Sequence, residues 1–160
     1  MIFVIMIARS HLFSSFSSWA GIRFAGFALP VLLMLMVSTP VRAEANYNGI
    51  TSAPIAFDLL KRQVVKLIDI RRPSEWRQTG VGRGAHKISM HQSGFLARLD
   101  ALVSGDRSQP IALICARGQR SRYMKAQLNQ LGFTNVTDVS EGMLGSPSGP
   151  GWLKRKLPLN

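Results

Sequence analysis

The sequence predicts an α/β domain with a central, mainly parallel sheet and helices on both faces. Three observations carry that expectation. Short apolar runs (Val64 to Ile70, Ile111 to Ile114, Val136 to Val139) alternate with segments of helical period. The run Ile111-Ala112-Leu113-Ile114 is continuously apolar, which suits a strand buried on both faces. A tight basic loop then joins this run to a helical segment, and open α/β sheets collect their chemistry outside the carboxyl ends of their strands.

In chain order, residues 44–51 read as a leader into the fold. Ser52-Ala53-Pro54 opens a helix over Ile55 to Lys61, with proline near its start, where a missing N–H does no harm. Val64 to Ile70 is a strand whose Lys66 predicts a partly open position. Pro73 to Thr79 reads as a loop or short helix holding Glu75 and Trp76, and Ala85 to Met90 as a short strand. Ser93 is the expected cap of a helix in which Leu96, Leu99, Leu102 and Val103 keep a helical period. Gly105-Asp106-Arg107 breaks it, and Pro110 precedes the strand Ile111 to Ile114. Met124, Leu128 and Leu131 recur on one helical face, capped by Ser121 and ended by Gly132. Val136 to Val139 is the last strand. Glu141 to Gly151 is rich in glycine and proline, and Trp152 to Leu157 closes the domain as a helix or tail.

Cys115 is the one cysteine of the 160 residues, and it stands at the carboxyl end of an apolar strand. A lone free cysteine is usually a small buried hydrophobe. A packing role, however, has no use for the glycine and arginines of Cys115-Ala116-Arg117-Gly118-Gln119-Arg120-Ser121-Arg122. A helix N-terminus offers free N–H groups and the positive end of its dipole, and both favour an anion such as a thiolate. The arrangement points to a thiolate nucleophile in an anion-binding loop.

The pattern Cys-x-x-Gly-x-Arg-Ser between a buried strand and a helix resembles the active-site loop of rhodanese-family sulfurtransferases. Val64-Val65-Lys66-Leu67-Ile68-Asp69-Ile70-Arg71 is similar to the family's early strand. Glu75-Trp76 and Gly80 match its acidic–aromatic pair and glycine, Gly84-Ala85-His86-Lys87-Ile88 its entry to the next strand, and Asn135 to Met143 its last strand and turn. Two departures stand out. Gly80-Val81-Gly82-Arg83 replaces the family's Gly-His-Ile, and Glu141-Gly142 replaces a double glycine.

The resemblance implies a rhodanese-like fold and a sulfurtransferase that moves sulfane sulfur through a Cys115 persulfide. Cys115 is then the catalytic residue, and Ala116, Arg117, Gly118, Gln119, Arg120 and Ser121 form the substrate- and anion-binding loop. Arg117 faces solvent and draws in the donor, Ser121 caps the helix, and Asp69 and Arg71 support the site. The implied partners are a small anionic donor, such as thiosulfate or a persulfide, and a thiol or protein acceptor, with no cofactor. Two alternatives stay open. A non-turnover persulfide carrier needs the same cradle. A cysteine phosphatase uses Cys-x-x-x-x-x-Arg, whereas here arginine comes one residue early, at Arg120, and Ser121 fills the sixth position.

Other residues point elsewhere. His86 and His91 lack the second pair that a zinc site needs, so no metal is expected. Trp76 and Trp152 read as packing residues, and Asp69 and Glu75 as structural rather than as an acid/base pair.

Twenty Lys and Arg against eight acidic residues give a formal net charge of +12. The basic balance suits nucleic acid, an anionic membrane or small anions, but no aromatic-and-basic repeat supports nucleic acid. Residues 1–43 contain Arg9, Arg23 and Arg42 and no acid, an apolar stretch from Phe24 to Val37, and a small-residue site ending at Ala43. This pattern is expected of a secretory signal peptide. The stretch is shorter than the about 20 residues of a bilayer span, and an uncleaved N-terminal anchor is the alternative. The expectation is therefore a signal peptide at 1–43, a rhodanese-like domain at 44–160, and a periplasmic or secreted bacterial protein. If the leader is uncleaved, the domain is membrane-anchored and faces the periplasm. With one cysteine, no intrachain disulfide forms.

Overall fold

A computed structural model describes residues 49–160. The reading of residues 1–43 as a signal peptide or anchor, and that of 44–48 within the leader into the fold, lie outside the described residues. The elements run β1 (Ile50–Thr51), α1 (Ala53–Lys61), β2 (Lys66–Asp69), α2 (Pro73–Thr79), β3 (His86–Lys87), α3 (Phe95–Leu102), β4 (Ile111–Ile114), α4 (Gln119–Gln130), β5 (Val136–Val139) and α5 (Gly151–Lys154). They form a five-stranded sheet in the order β1-β5-β4-β2-β3, and every pairing is parallel.

Because side chains alternate across a strand, β4 feeds two cores. Ile111, Leu113 and Cys115 join Ile68, Ile70 and Val136 of the sheet with Leu99 of α3 and with Leu128 and Phe133. Ala112 and Ile114 join Leu67 and Val139 with Ala53, Ala56 and Leu59 of α1 and Trp152 of α5. Helices therefore cover both faces, as the continuous apolar run predicts. β4 is central, with Leu113 level with Ile68 on one side and Asp138 on the other. This register brings the loops after β2, β4 and β5 to one edge of the sheet.

Several elements differ from the expectation. β1 is a two-residue strand beside β5, with Ile50 level with Asp138, and is too short to leave a pattern. β3 is confined to His86–Lys87. Helix α3 begins after Gly94, in the left-handed region at φ 72°, so Ser93 is not its cap. Lys66 is half-buried, the partly open position expected of it, and its Nζ donates to the Leu102 carbonyl at 3.0 Å and to Gln109 Oε1 at 2.8 Å.

The structure accounts for one departure from the family pattern. Trp152 is fully buried, packs edge-on against Phe57 with ring centroids 5.5 Å apart, and donates from Nε1 to the Pro158 carbonyl at 3.0 Å. An added Cβ at Gly82 would stand 2.7 Å from that indole ring. Glycine at 82 is thus the complement of a tryptophan lodged beneath it. Gly82→Ala should cost about 1–3 kcal/mol in urea unfolding. Gly49→Ala, with nothing within 4 Å, should leave stability within about 0.5 kcal/mol.

Candidate active site

Cys115 follows β4 directly and turns its side chain into the α3/α4 core, where the residue is 1 % exposed. The chain bends sharply just beyond it. Gly118 lies in the left-handed region at φ 81°, and an added Cβ would run into the Ser140 carbonyl oxygen. Gly142, at φ 66°, faces the Ala116 carbonyl in the same way from the opposite loop. Two backbone bonds close the seam, from Met143 N–H to Cys115 O at 2.9 Å and from Leu144 N–H to Ala116 O at 2.8 Å. The second departure from the family pattern is thereby explained: of the two positions, it is 142 that has to be glycine.

Gly118 is also the N-cap of α4, and its N–H donates to Cys115 Sγ at 3.1 Å. The sulfur therefore sits at the N-terminus of a 12-residue helix, whose first N–H groups have no intrahelical partner. Ser121 lies within the first turn rather than at the cap, because α4 begins immediately after Gly118. From there its hydroxyl stands 3.4 Å from Sγ and 3.1 Å from the Gly118 carbonyl, in reach of donating to either. Of the remaining loop residues, Ala116 is half-buried, and Arg117 and Gln119 are exposed.

Arg120 supplies the local positive charge, and it is held in place by a residue from another element. Glu75 of α2 accepts from Arg120 Nη2 at 2.6 Å and from Nη1 at 2.8 Å. The paired guanidinium is held firmly protonated by Glu75, with a smaller contribution from Cys115. His91 joins at the rim, its Nε2 3.2 Å from Arg120 Nη1. A guanidinium can only donate, so this imidazole nitrogen accepts. Burial, then Arg72 and Arg120, push the imidazole below its usual value.

Asp69 and Arg71 do not bond to the loop. They form a buried, bidentate pair: Arg71 Nη2 donates to Asp69 Oδ2 at 2.7 Å and Nε to Oδ1 at 2.9 Å. The rest of the guanidinium reaches α2, donating to Thr79 Oγ1 and to the Gly80 carbonyl, each at 2.8 Å. Their support for the site is thus indirect. They fix the end of the helix that carries Glu75, and Glu75 fixes Arg120.

Glu75, His91 and Asp138 were not among the residues expected at the site. Asp138 of β5 is fully buried on the side of α4, and neither carboxylate oxygen has a hydrogen-bond partner. Arg122 Nε stands 3.9 Å away. Burial pushes this carboxyl above the usual range, against the pull of Ser121, Arg122 and Lys125.

Two pH dependences follow. The hydrogen bonds from Arg120, reinforced by the Arg72 N–H, hold Glu75 down to about 2. An acid lowered on folding stabilises above its ordinary value, and that contribution disappears as pH falls through the folded value. The stability difference between wild type and Glu75→Gln should therefore be full at neutral pH and vanish near pH 2, read by urea unfolding across that interval. Asp138 has the opposite sign, since its cost grows as pH rises past the ordinary aspartate value of about 4. Asp138→Asn should gain stability over wild type progressively above that pH in thermal melts.

A family model for the rhodanese-like domain matches residues 53–145. Among curated proteins, the uncharacterised RP600 homolog of Rickettsia rickettsii is 24 % identical over 110 residues, covering 64 % of this chain and 89 % of its own length. The crystal structure of Rv0390 from M. tuberculosis aligns with a TM-score of 0.54 at 26 % identity, over 71 % of this chain and 98 % of that one. The human single-domain sulfurtransferase TSTD1 aligns with a TM-score of 0.45 at 21 % identity, over 58 % of this chain and 89 % of its own.

Proposed function

This chain belongs to the rhodanese-like domain family, and from that premise we propose that it is a sulfurtransferase acting through a persulfide on Cys115. The observation that carries the reading is the position of one sulfur. Sγ lies at the N-terminus of α4, 3.1 Å from the Gly118 N–H and 3.4 Å from the Ser121 hydroxyl, with Arg120 close by. These donors and the cation are in place before any substrate arrives, where negative charge on the transferring sulfur develops.

The chemistry follows in two steps. The Cys115 thiolate attacks the outer sulfur of an anionic donor such as thiosulfate. A new Sγ–S bond forms as the donor's S–S bond breaks, and sulfite leaves with the bonding pair. The negative charge now rests on the outer sulfur of the persulfide, within the same set of donors. A thiophilic acceptor attacks that sulfur, the Sγ–S bond breaks, and the pair returns to Cys115 as thiolate. Arg117, exposed at the rim, draws in the anionic donor, while Gly118 lets the loop turn tightly against Ser140 so that its N–H faces the sulfur. Basic, apolar and small-residue segments in the leader support a place for the domain outside the cytoplasm.

Thiosulfate-to-cyanide transfer tests the reading. Cys115→Ser should abolish turnover while leaving the circular dichroism spectrum and melting temperature close to wild type. Ser121→Ala, which removes the hydroxyl 3.4 Å from Sγ, should lower kcat by about tenfold or more. Undiminished turnover in Cys115→Ser would end the assignment.

A further inference from the structure

Asp138 of β5 is fully buried, and neither of its carboxylate oxygens has a hydrogen-bond partner. Its neighbours across the sheet are Leu113 of β4 and Ile50 of β1, whose side chains offer nothing polar. The charged groups that face it are Arg122, with Nε at 3.9 Å, and Lys125, both of α4. Arg122 is mostly exposed, and Lys125 Nζ donates instead to the Gly49 carbonyl at 3.1 Å. A carboxyl so placed costs stability, and packing alone has no need of one.

The strand register brings this carboxyl close to the sulfur. Asp138 is level with Leu113, and Leu113 and Val136 share the α3/α4 core with Cys115. Side chains alternate along a strand, so Asp138 and Cys115 lie on one face of the sheet, two positions out of step. Their α-carbons are then roughly 8 Å apart, from a strand spacing of about 4.8 Å and a rise of about 3.3 Å per residue. Ser121, itself fully buried in the first turn of α4, approaches both residues. Its hydroxyl stands 3.4 Å from Sγ, and it draws the Asp138 carboxyl down against the push of burial. A hydroxyl both accepts and donates, so it can pass on a proton that it does not keep.

We propose that Asp138 holds the Cys115 proton during sulfur transfer, as a positioning residue that acts through the Ser121 hydroxyl. The inference rests on the persulfide reading. As Sγ attacks the donor's outer sulfur, its proton passes to Ser121 Oγ, and the Ser121 hydroxyl proton passes to Asp138. The Sγ–S bond forms, the donor's S–S bond breaks, and sulfite leaves with the pair. Asp138 is neutral while the persulfide carries the negative charge, so no second anion opposes it. When an acceptor takes the outer sulfur, the pair returns to Sγ and the proton goes back along the same path. Burial suits this role, because it makes the carboxylate a stronger base than a solvated one.

Alkylation of Cys115 by iodoacetamide tests the relay without any sulfur donor. A carboxylate acting only through its charge would slow the reaction, and Asp138→Asn would then speed it. A carboxylate that takes the proton has the opposite sign. At neutral pH, Asp138→Asn in the full chain should be alkylated about tenfold or more slowly than wild type. Ser121→Ala should lose as much, and the double variant no more than either alone, since each removes the same path. Thermal melts keep the fold in view, for Asp138→Asn should melt no lower than wild type. An unchanged or faster rate in Asp138→Asn, or losses that add in the double variant, would overturn the relay. Transfer from thiosulfate to cyanide by the same proteins separates the two readings. The expected alkylation pattern without any transfer would retain the relay and reject the sulfurtransferase. Wild-type transfer with undiminished alkylation in Asp138→Asn would reject the relay alone.

Discussion

The site depends on one close approach, the contact of the loop after β4 with the loop after β5. Gly118 meets the Ser140 carbonyl, and Gly142 meets the Ala116 carbonyl, at separations that leave no room for a Cβ. Parallel strands place these two loops at the same edge of the sheet, and the glycines let their backbones touch. Once they touch, the chain must turn at Gly118, so its N–H faces Sγ and α4 starts there. The electrostatics of the sulfur follow from a packing constraint between main chains. A larger residue at 118 would move the donor, the helix start and Ser121 together.

The second level of organisation runs through side chains from a different part of the fold. A buried ion pair at the end of β2 fixes the end of α2, and α2 aims Glu75 at Arg120. A buried pair of this kind contributes little net stability, because desolvation offsets the attraction, although loss of one partner is costly. Its value here lies in geometry, since a long arginine beside a sulfur has many rotamers and Glu75 selects one. Asp138 belongs to neither network. A buried carboxyl without a hydrogen bond is an expense that folded proteins generally avoid, and it lies near Ser121, the residue that also approaches the sulfur.

How much could be read from the chain alone depended on the range of the interaction. β4 and β5 were legible to the residue because burial on both faces demands an unbroken apolar run, and the two helices after Cys115 and Ser93 were legible from their period. Helix starts were misjudged at both. Serine is the usual cap signal, but here Gly94 and Gly118 stand in the left-handed region as the caps, one residue after Ser93 and three before Ser121. β1 was invisible because a two-residue strand owes its existence to the edge of β5. Cys115, Gly118 and Arg120 were legible as one contiguous motif. Glu75 was not, for it meets Arg120 across 45 positions of sequence, and nothing local marks such a pair. The roles expected for Asp69 and Arg71 needed the same three-dimensional information, which shows them acting through α2 and away from the sulfur.

The claim at the centre of this account is that the donors around Sγ exist to hold a sulfur anion that passes through a covalent persulfide. Intact-mass analysis of the protein before and after brief exposure to thiosulfate, followed by peptide mapping, addresses it most directly. The account predicts a gain of one sulfur atom per chain, located on Cys115 and discharged on addition of cyanide. A protein that stays at its original mass, while remaining folded and alkylatable at Cys115, would contradict it.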